Sequence, residues 1–198
     1  YTRRASSVAH IGAIDLGGDN PIRIQSMTTT NTNDTEACVR QAEEIIKAGG
    51  ELVRFTTQGS REAENMKNIN AGIRADGYQT PLVADVHFNP NVADVAALYC
   101  EKVRVNPGNY VDPARKFIKQ EYTDEEYAHE LQKIEDRFVP FLNICKEHHT
   151  AIRIGVNHGS LSDRIRNRYG DTPEGIVESC LEFLRICKKE NFHDVVIS

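Results

Sequence analysis

Nowhere does the chain carry an apolar run approaching the ~18 residues of a membrane-spanning helix, and its opening residues lack the pattern of a signal peptide. These absences point to a cytoplasmic protein with no membrane partner. Cysteine is sparse and scattered: Cys38, Cys100, Cys145, Cys180 and Cys187 are odd in number and include no C-x-x-C pair. Neither a disulfide framework nor a zinc or iron–sulfur ligand set has usable spacing. Each cysteine falls among apolar neighbours in a helical stretch, where a free thiol behaves as a small buried hydrophobe. A positive excess is missing too. The net charge is -5, with acidic and basic residues mixed along the chain, which argues against a nucleic-acid partner and requires any positive potential to be local. No G-x-G-x-x-G turn occurs to mark a Rossmann dinucleotide site. Methionine is absent from the first position, where Tyr1 stands, as expected of a trimmed chain.

What is present is a repeated strand pattern. Successive strand side chains point to opposite faces. In K-V-R-V-N-P-G-N (102–109), Arg104 and Asn106 therefore share one face and Val103 and Val105 the other. In A-I-R-I-G-V-N-H-G-S (151–160), Arg153, Gly155 and Asn157 oppose Ile152, Ile154 and Val156. A third strand, 52–57, sets Arg54 and Thr56 against Val53 and Phe55. Charge recurring in one phase, with branched aliphatics in the other, predicts a sheet covered by helices on its aliphatic side and facing a ligand on its polar side.

The chain of 198 residues suits one domain or most of a larger barrel. Residues 8–20 read as a small N-terminal hairpin (1–20), separate from the rest of the chain. A strand is expected over 22–28, with Arg23, Gln25 and Met27 on one parity, then a helix over 36–48 capped by Asn33 or Asp34. Alternation continues through a helix over 61–75, a strand over 81–86, a short helix over 91–100 and the Arg104 strand. Residues 113–148 read as a helical insertion with a Thr123/Glu126 capping box, bent or divided at Pro140. The Arg153 strand, helical turns from Leu161, a helix near 173–190 and a last strand over 194–198 complete six strand–helix units. Short connections of this kind imply parallel strands and right-handed crossovers. Polar groups at nearly every strand end favour a (β/α)8 barrel, truncated to about six units over 21–198, over a doubly wound sheet.

Arginines in one phase on three strands, beside Asn106 and Asn157, predict an anion site, because guanidinium groups match phosphate oxygens bidentately. The Asn106-Pro107-Gly108-Asn109 stretch has the residues of a type II turn, which would leave loop N–H groups facing a ligand. Ser160 with Asp163 has the spacing of a capping box, and a helix N-terminus there would favour an anion. Asp85 and His87 at a strand end are candidates for substrate contact, proton relay or metal binding, or form a hydrogen-bonded structural pair; His158 is a weaker candidate.

In this order and spacing, I-Q-S-M-T, L-V-R-F-T, P-L-V-A-D-V-H-F, K-V-R-V-N-P-G-N and I-R-I-G-V-N-H-G-S-L resemble the barrel domain of the hydroxymethylbutenyl diphosphate synthase family of the non-mevalonate isoprenoid pathway. The resemblance runs from about residue 8 to 198, and the insertion resembles that of the longer form found in some bacteria and plants. It implies reductive ring opening of methylerythritol cyclodiphosphate, with a 4Fe-4S cluster and a ferredoxin or flavodoxin type electron donor. It also implies that Arg54, Arg104 and Arg153 hold the diphosphate, Asn106 and Asn157 supplement them, and Gln25, Asp85 and His87 line the same mouth. The family's cluster ligands, on a separate C-terminal domain, have no match here, and the chain stops before the family's next strand-end lysine. By itself the chain is therefore expected to be catalytically silent and to hold no cluster.

Two other readings fit the polar strand ends: a dihydropteroate-synthase-like pterin/diphosphate transferase barrel, and a non-catalytic phosphate-binding module. Six strands leave an eight-strand barrel open, so the two terminal strands should present unpaired edges. A homo-oligomer joined across that seam is expected, or a seam covered by the hairpin or the insertion.

Overall fold

Aliphatic side chains on one parity of each strand collect the helices, and the fold is built on that packing. A computed structural model describes residues 4–112 and 121–198. The first third of the expected insertion lies largely outside the described residues. Strands β3 (Gln25–Met27), β4 (Leu52–Thr57), β5 (Leu82–Val86), β6 (Lys102–Val105), β7 (Ala151–Ile154) and β8 (Val195–Ile197) form a parallel sheet in sequential order. Helices α1 (Thr35–Lys47), α2 (Ser60–Ala75), α3 (Pro90–Ala97) and α4 (Asp124–His148) each join two successive strands, and α5 (Asp163–Tyr169) and α6 (Pro173–Lys189) together join β7 to β8. The sheet curls into a half-barrel. The antiparallel hairpin of β1 (Val8–Ile11) and β2 (Ile14–Gly17) precedes it.

Two apolar clusters lie on opposite faces of the sheet. Val53, Phe55, Leu82, Ala84, Val103, Val105, Ile152 and Ile154 pack outward with residues of the helices. On the concave side Leu52, Val83 and Ala151 pack against Ile11, with Ile14 and Leu16 beside them. The hairpin is thus a plug across the floor of the half-barrel. Polar ties hold it at both ends: Arg23 Nε donates to the Asp15 carbonyl, and the His10 N–H donates to Asp194 Oδ1.

Several local expectations change. The first sheet strand is only Gln25–Met27, because Arg23 turns away to Glu51 and Asp15. Helix α4 runs unbroken through Pro140. The proline forfeits one helical bond, but Ile134, Phe138, Phe141, Leu142 and Cys145 are buried on both sides of it and hold the helix to the core. Its capping box is formed as expected, with Thr123 Oγ1 accepting from the Glu126 N–H and Glu126 accepting from the Thr123 N–H. Helix α4 packs beside α3 and α6, while Ile22, Ile24 and Met27 near one edge strand and Ile197 at the other are exposed.

Helix α4 completes an aromatic core in which Phe138 meets Phe183 edge-on at 4.9 Å between centroids, and Tyr110 meets both rings at T-shaped angles. The Tyr110 hydroxyl is buried there without a hydrogen-bond partner among the described residues, and burial pushes its pKa well up. An unsatisfied buried hydroxyl costs ~1–3 kcal/mol. Tyr110→Phe should therefore stabilise the protein by about 1 kcal/mol, read as a higher urea midpoint; a lower midpoint would mean the hydroxyl has a partner.

Candidate functional site

The polar parity of the strands meets on the concave face above the apolar floor. Thr56, Asp85, Arg104 and Arg153 are register partners on four adjacent strands. Arg54 lies one step lower, level with Val83, Lys102 and Ala151. Arg54, Arg104 and Arg153 thus share one face, opposite the helices, as their phase requires.

A single carboxylate organises the cations. Asp85 Oδ2 accepts from Arg54 Nη2 and lies 3.2 Å from His87 Nε2, while Asp85 Oδ1 accepts from Arg104 Nη1 at 3.1 Å. Burial pushes the Asp85 carboxyl up, but hydrogen bonds from His87 and Arg54 and the charges of Arg54 and Arg104 outweigh it and hold its pKa at about 2. Asp85 is therefore an ionised clamp rather than a proton donor. Arg104 also donates to the Gly155 carbonyl at 2.9 Å. A Cβ at Gly155 would stand 2.5 Å from Arg104 Nε, so the glycine makes room for the guanidinium. Arg153 makes a lighter commitment, its Nε donating to Ser198 Oγ at 2.9 Å. Burial, then the charges of Arg54 and Arg104, lower its pKa. Arg54 Nε is buried with no hydrogen-bond partner among the described residues.

The loops above the strands are built differently from expectation. Pro107–Asn109 is a 3-10 turn, not a type II turn. The Gly108 N–H is satisfied by Asn106 Oδ1 at 3.1 Å rather than facing outward. Glycine is needed there because the Ser160 carbonyl would lie 1.8 Å from a Cβ. Ser160 does not cap a helix: α5 is capped by Ser162, whose Oγ accepts from the Ile165 N–H. Ser160 Oγ instead accepts from Asn106 Nδ2 at 2.7 Å, joining the two loops. Asn157 Oδ1 caps its own 3-10 turn by accepting from the Gly159 N–H. Asn106 and Asn157 thus shape the mouth through its backbone. His158 turns away to Asp171 at 2.5 Å.

Gln25 reaches the site from below, its Oε1 accepting from Lys102 Nζ at 3.1 Å. Lys102 is absent from the expected site although it precedes Arg104 by two residues on the same parity. Strand phase alone could have found it.

Four cysteines, Cys38, Cys100, Cys145 and Cys187, are buried, and Cys180 is half-buried. Burial pushes their thiols up, Cys187 to about 12. An iron–sulfur cluster needs thiolates gathered at one point. Among the described residues no three His, Cys, Asp or Glu side chains gather at metal-binding distance, and these thiols do not fit such a group. No helix among the described residues is long and apolar enough to cross a membrane.

A parallel half-barrel with a plugged floor and three arginines around one carboxylate defines a (β/α)-barrel protein with a cationic interior. The chain belongs to the family of the GcpE TIM-barrel domain, whose model matches residues 6–198. It is 76% identical, over its whole length, to the 4-hydroxy-3-methylbut-2-en-1-yl diphosphate synthase (flavodoxin) of Phocaeicola vulgatus and 51% identical to that of Akkermansia muciniphila. The chain spans 32% and 34% of the lengths of these relatives. This assignment replaces the dihydropteroate-synthase-like alternative. Among solved structures, a truncated 3-deoxy-D-arabino-heptulosonate 7-phosphate synthase from Thermotoga maritima aligns with a TM-score of 0.59 at 9% identity, covering 98% of this chain and 56% of its own. At that identity the likeness concerns the fold alone.

Proposed function

We propose that this chain is the substrate-binding barrel portion of a 4-hydroxy-3-methylbut-2-enyl diphosphate synthase, acting on 2-C-methyl-D-erythritol 2,4-cyclodiphosphate. In this reading Arg54, Arg104 and Arg153 bind the diphosphate, and Gln25, Asp85, His87, Asn106 and Asn157 shape the pocket around it. The observation that carries the reading is the imbalance of charge: of three guanidinium groups on one face, two share a single carboxylate and the third has none, and the buried Arg54 Nε has no acceptor among the described residues. An anion with several oxygens supplies what is missing. Support for the reaction comes from the relatives' names, which also support a flavodoxin as electron donor. Reducing equivalents would arrive through an iron–sulfur cluster held by residues outside this chain. The residues here bind and orient, with Asp85 fixing the arginines before substrate arrives.

Arg153 gives the cleanest test because it has no carboxylate partner of its own among the described residues. Arg153→Ala in the complete protein should weaken binding of the cyclic diphosphate by about 1.5–3 kcal/mol, the scale of hydrogen bonds to charged groups, with little change in unfolding midpoint. Calorimetric affinity within about 0.5 kcal/mol of wild type would make Arg153 structural and remove it from the site.

A further inference from the structure

Level with Arg54 and one step below Arg104 and Arg153, the barrel interior holds a fourth cation with no counter-ion among the described residues. Lys102 opens β6, level with Val83 and Ala151 of the apolar floor, and is only 3% exposed. Its ammonium donates to one neutral acceptor, Gln25 Oε1, reaching from β6 across two strands to β3. An ammonium has three donors, and no carboxylate among the described residues pairs with this one. The surrounding elements offer no relief. β4 presents Arg54 and β7 presents Arg153, whose charges both act on Lys102, and β6 itself presents Arg104. Asp85 on β5 has committed its two oxygens to Arg54 and Arg104. The hairpin below presents Ile11, Ile14 and Leu16.

A buried ammonium is ordinarily matched by an opposite charge or neutralised. Here burial, then Arg153 and Arg54, bring the Lys102 pKa down to about 8. A tie between β3 and β6 alone would not require a charged group, since a neutral amide could serve as the donor.

We propose that Lys102, level with Arg54 and one step below Arg104 and Arg153, is a further anion-binding residue of this pocket: Gln25 steadies it, and the ammonium charge meets the deeper phosphoryl group of a diphosphate ligand. The inference rests on the diphosphate reading above and extends it: ligand binding draws Lys102 toward its protonated form. A polyanion bound near neutral pH therefore enters with uptake of a fraction of a proton, and affinity falls as Lys102 loses its charge at higher pH.

Calorimetric titration of inorganic pyrophosphate into the complete protein tests this, with Arg153→Ala as the control for the parent reading. Lys102→Met should weaken binding about tenfold near pH 7. Lys102→Arg, which keeps the charge, should stay within about threefold of wild type and should lack the wild-type excess proton uptake above about pH 7.5. Gln25→Ala removes the tie but not the charge and should cost less than Lys102→Met. Lys102→Met binding like wild type while Arg153→Ala loses affinity would overturn this inference and leave the parent reading standing. So would a Gln25→Ala loss equal to that of Lys102→Met. No pyrophosphate binding by the wild type would overturn both. If Lys102→Met does not fold, identical pH profiles and proton uptake for wild type and Lys102→Arg would refute the proposal.

Discussion

Arg164→Met should destabilise the protein by about 3–5 kcal/mol, the scale for removing one partner from a buried ion pair. Arg164 lies in α5 but is 2% exposed. Its guanidinium donates in a bidentate fork to Glu182 of α6 at 2.7 and 2.8 Å and reaches Asp112 at 3.2 Å. Tyr127 of α4 donates to Glu182 and stacks under Arg164, with the guanidinium carbon 4.7 Å from the ring centroid. One side chain therefore joins the segment after the Pro107–Asn109 turn, the long helix α4 and the last two helices. Burial alone would lower the Arg164 pKa, but Glu182 and Asp112 drive it well above the usual range. Removing the guanidinium leaves two buried carboxylates facing each other. The damage should shrink as pH falls toward about 5, because a carboxyl deprived of its partner takes up a proton more readily. Arg164→Met with Glu182→Leu should recover much of the loss, since an apolar pair can replace a buried ionic one. Urea unfolding followed by circular dichroism reads all three outcomes. A loss under about 1 kcal/mol for Arg164→Met would reduce the cluster to an ordinary surface ion pair.

Nothing local in the sequence signals that cluster, whose members stand as far apart as Asp112 and Glu182. The strand face was legible for the opposite reason: alternation is a local rule, so Arg54, Arg104 and Arg153 could be placed together without knowing the fold. Helix caps at Asp34 and Thr123 were legible on the same ground. Turns were less so. Asn-Pro-Gly-Asn suits a type II turn locally, but the close passage of the Ser160 backbone over Gly108 goes with a 3-10 turn. Asp85 could be put at the mouth from its strand position. Its hold on Arg54, 31 residues away in sequence, emerges only from strand order. The seam was legible as a strand count, yet the hairpin's place on the floor depends on Ile11, Ile14 and Leu16 finding Leu52, Val83 and Ala151.

Asp85→Asn should have the opposite effect on anion affinity from its effect on stability, and the pair of measurements defines what the carboxylate does. Its folded pKa of about 2 lies below the ordinary aspartate value of 3.8, so ionised Asp85 contributes about 2 kcal/mol. Because the folded value is the depressed one, that contribution is fully present above the unfolded pKa and is lost as pH falls through the folded pKa. The amide variant lacks that acid limb. It also leaves Arg54 and Arg104 beside Lys102 and Arg153 with no carboxylate among them, and the total loss near neutral pH should reach about 3–5 kcal/mol. Those stripped cations are the groups an anion would satisfy. Pyrophosphate should therefore raise the melting temperature of Asp85→Asn in the complete protein by more than it raises that of wild type, because a ligand that binds only the folded state adds more stability the tighter it binds. Equal shifts for the two proteins would mean that the carboxylate and the ligand do not share the arginines, and the anion site would have to lie elsewhere on the barrel.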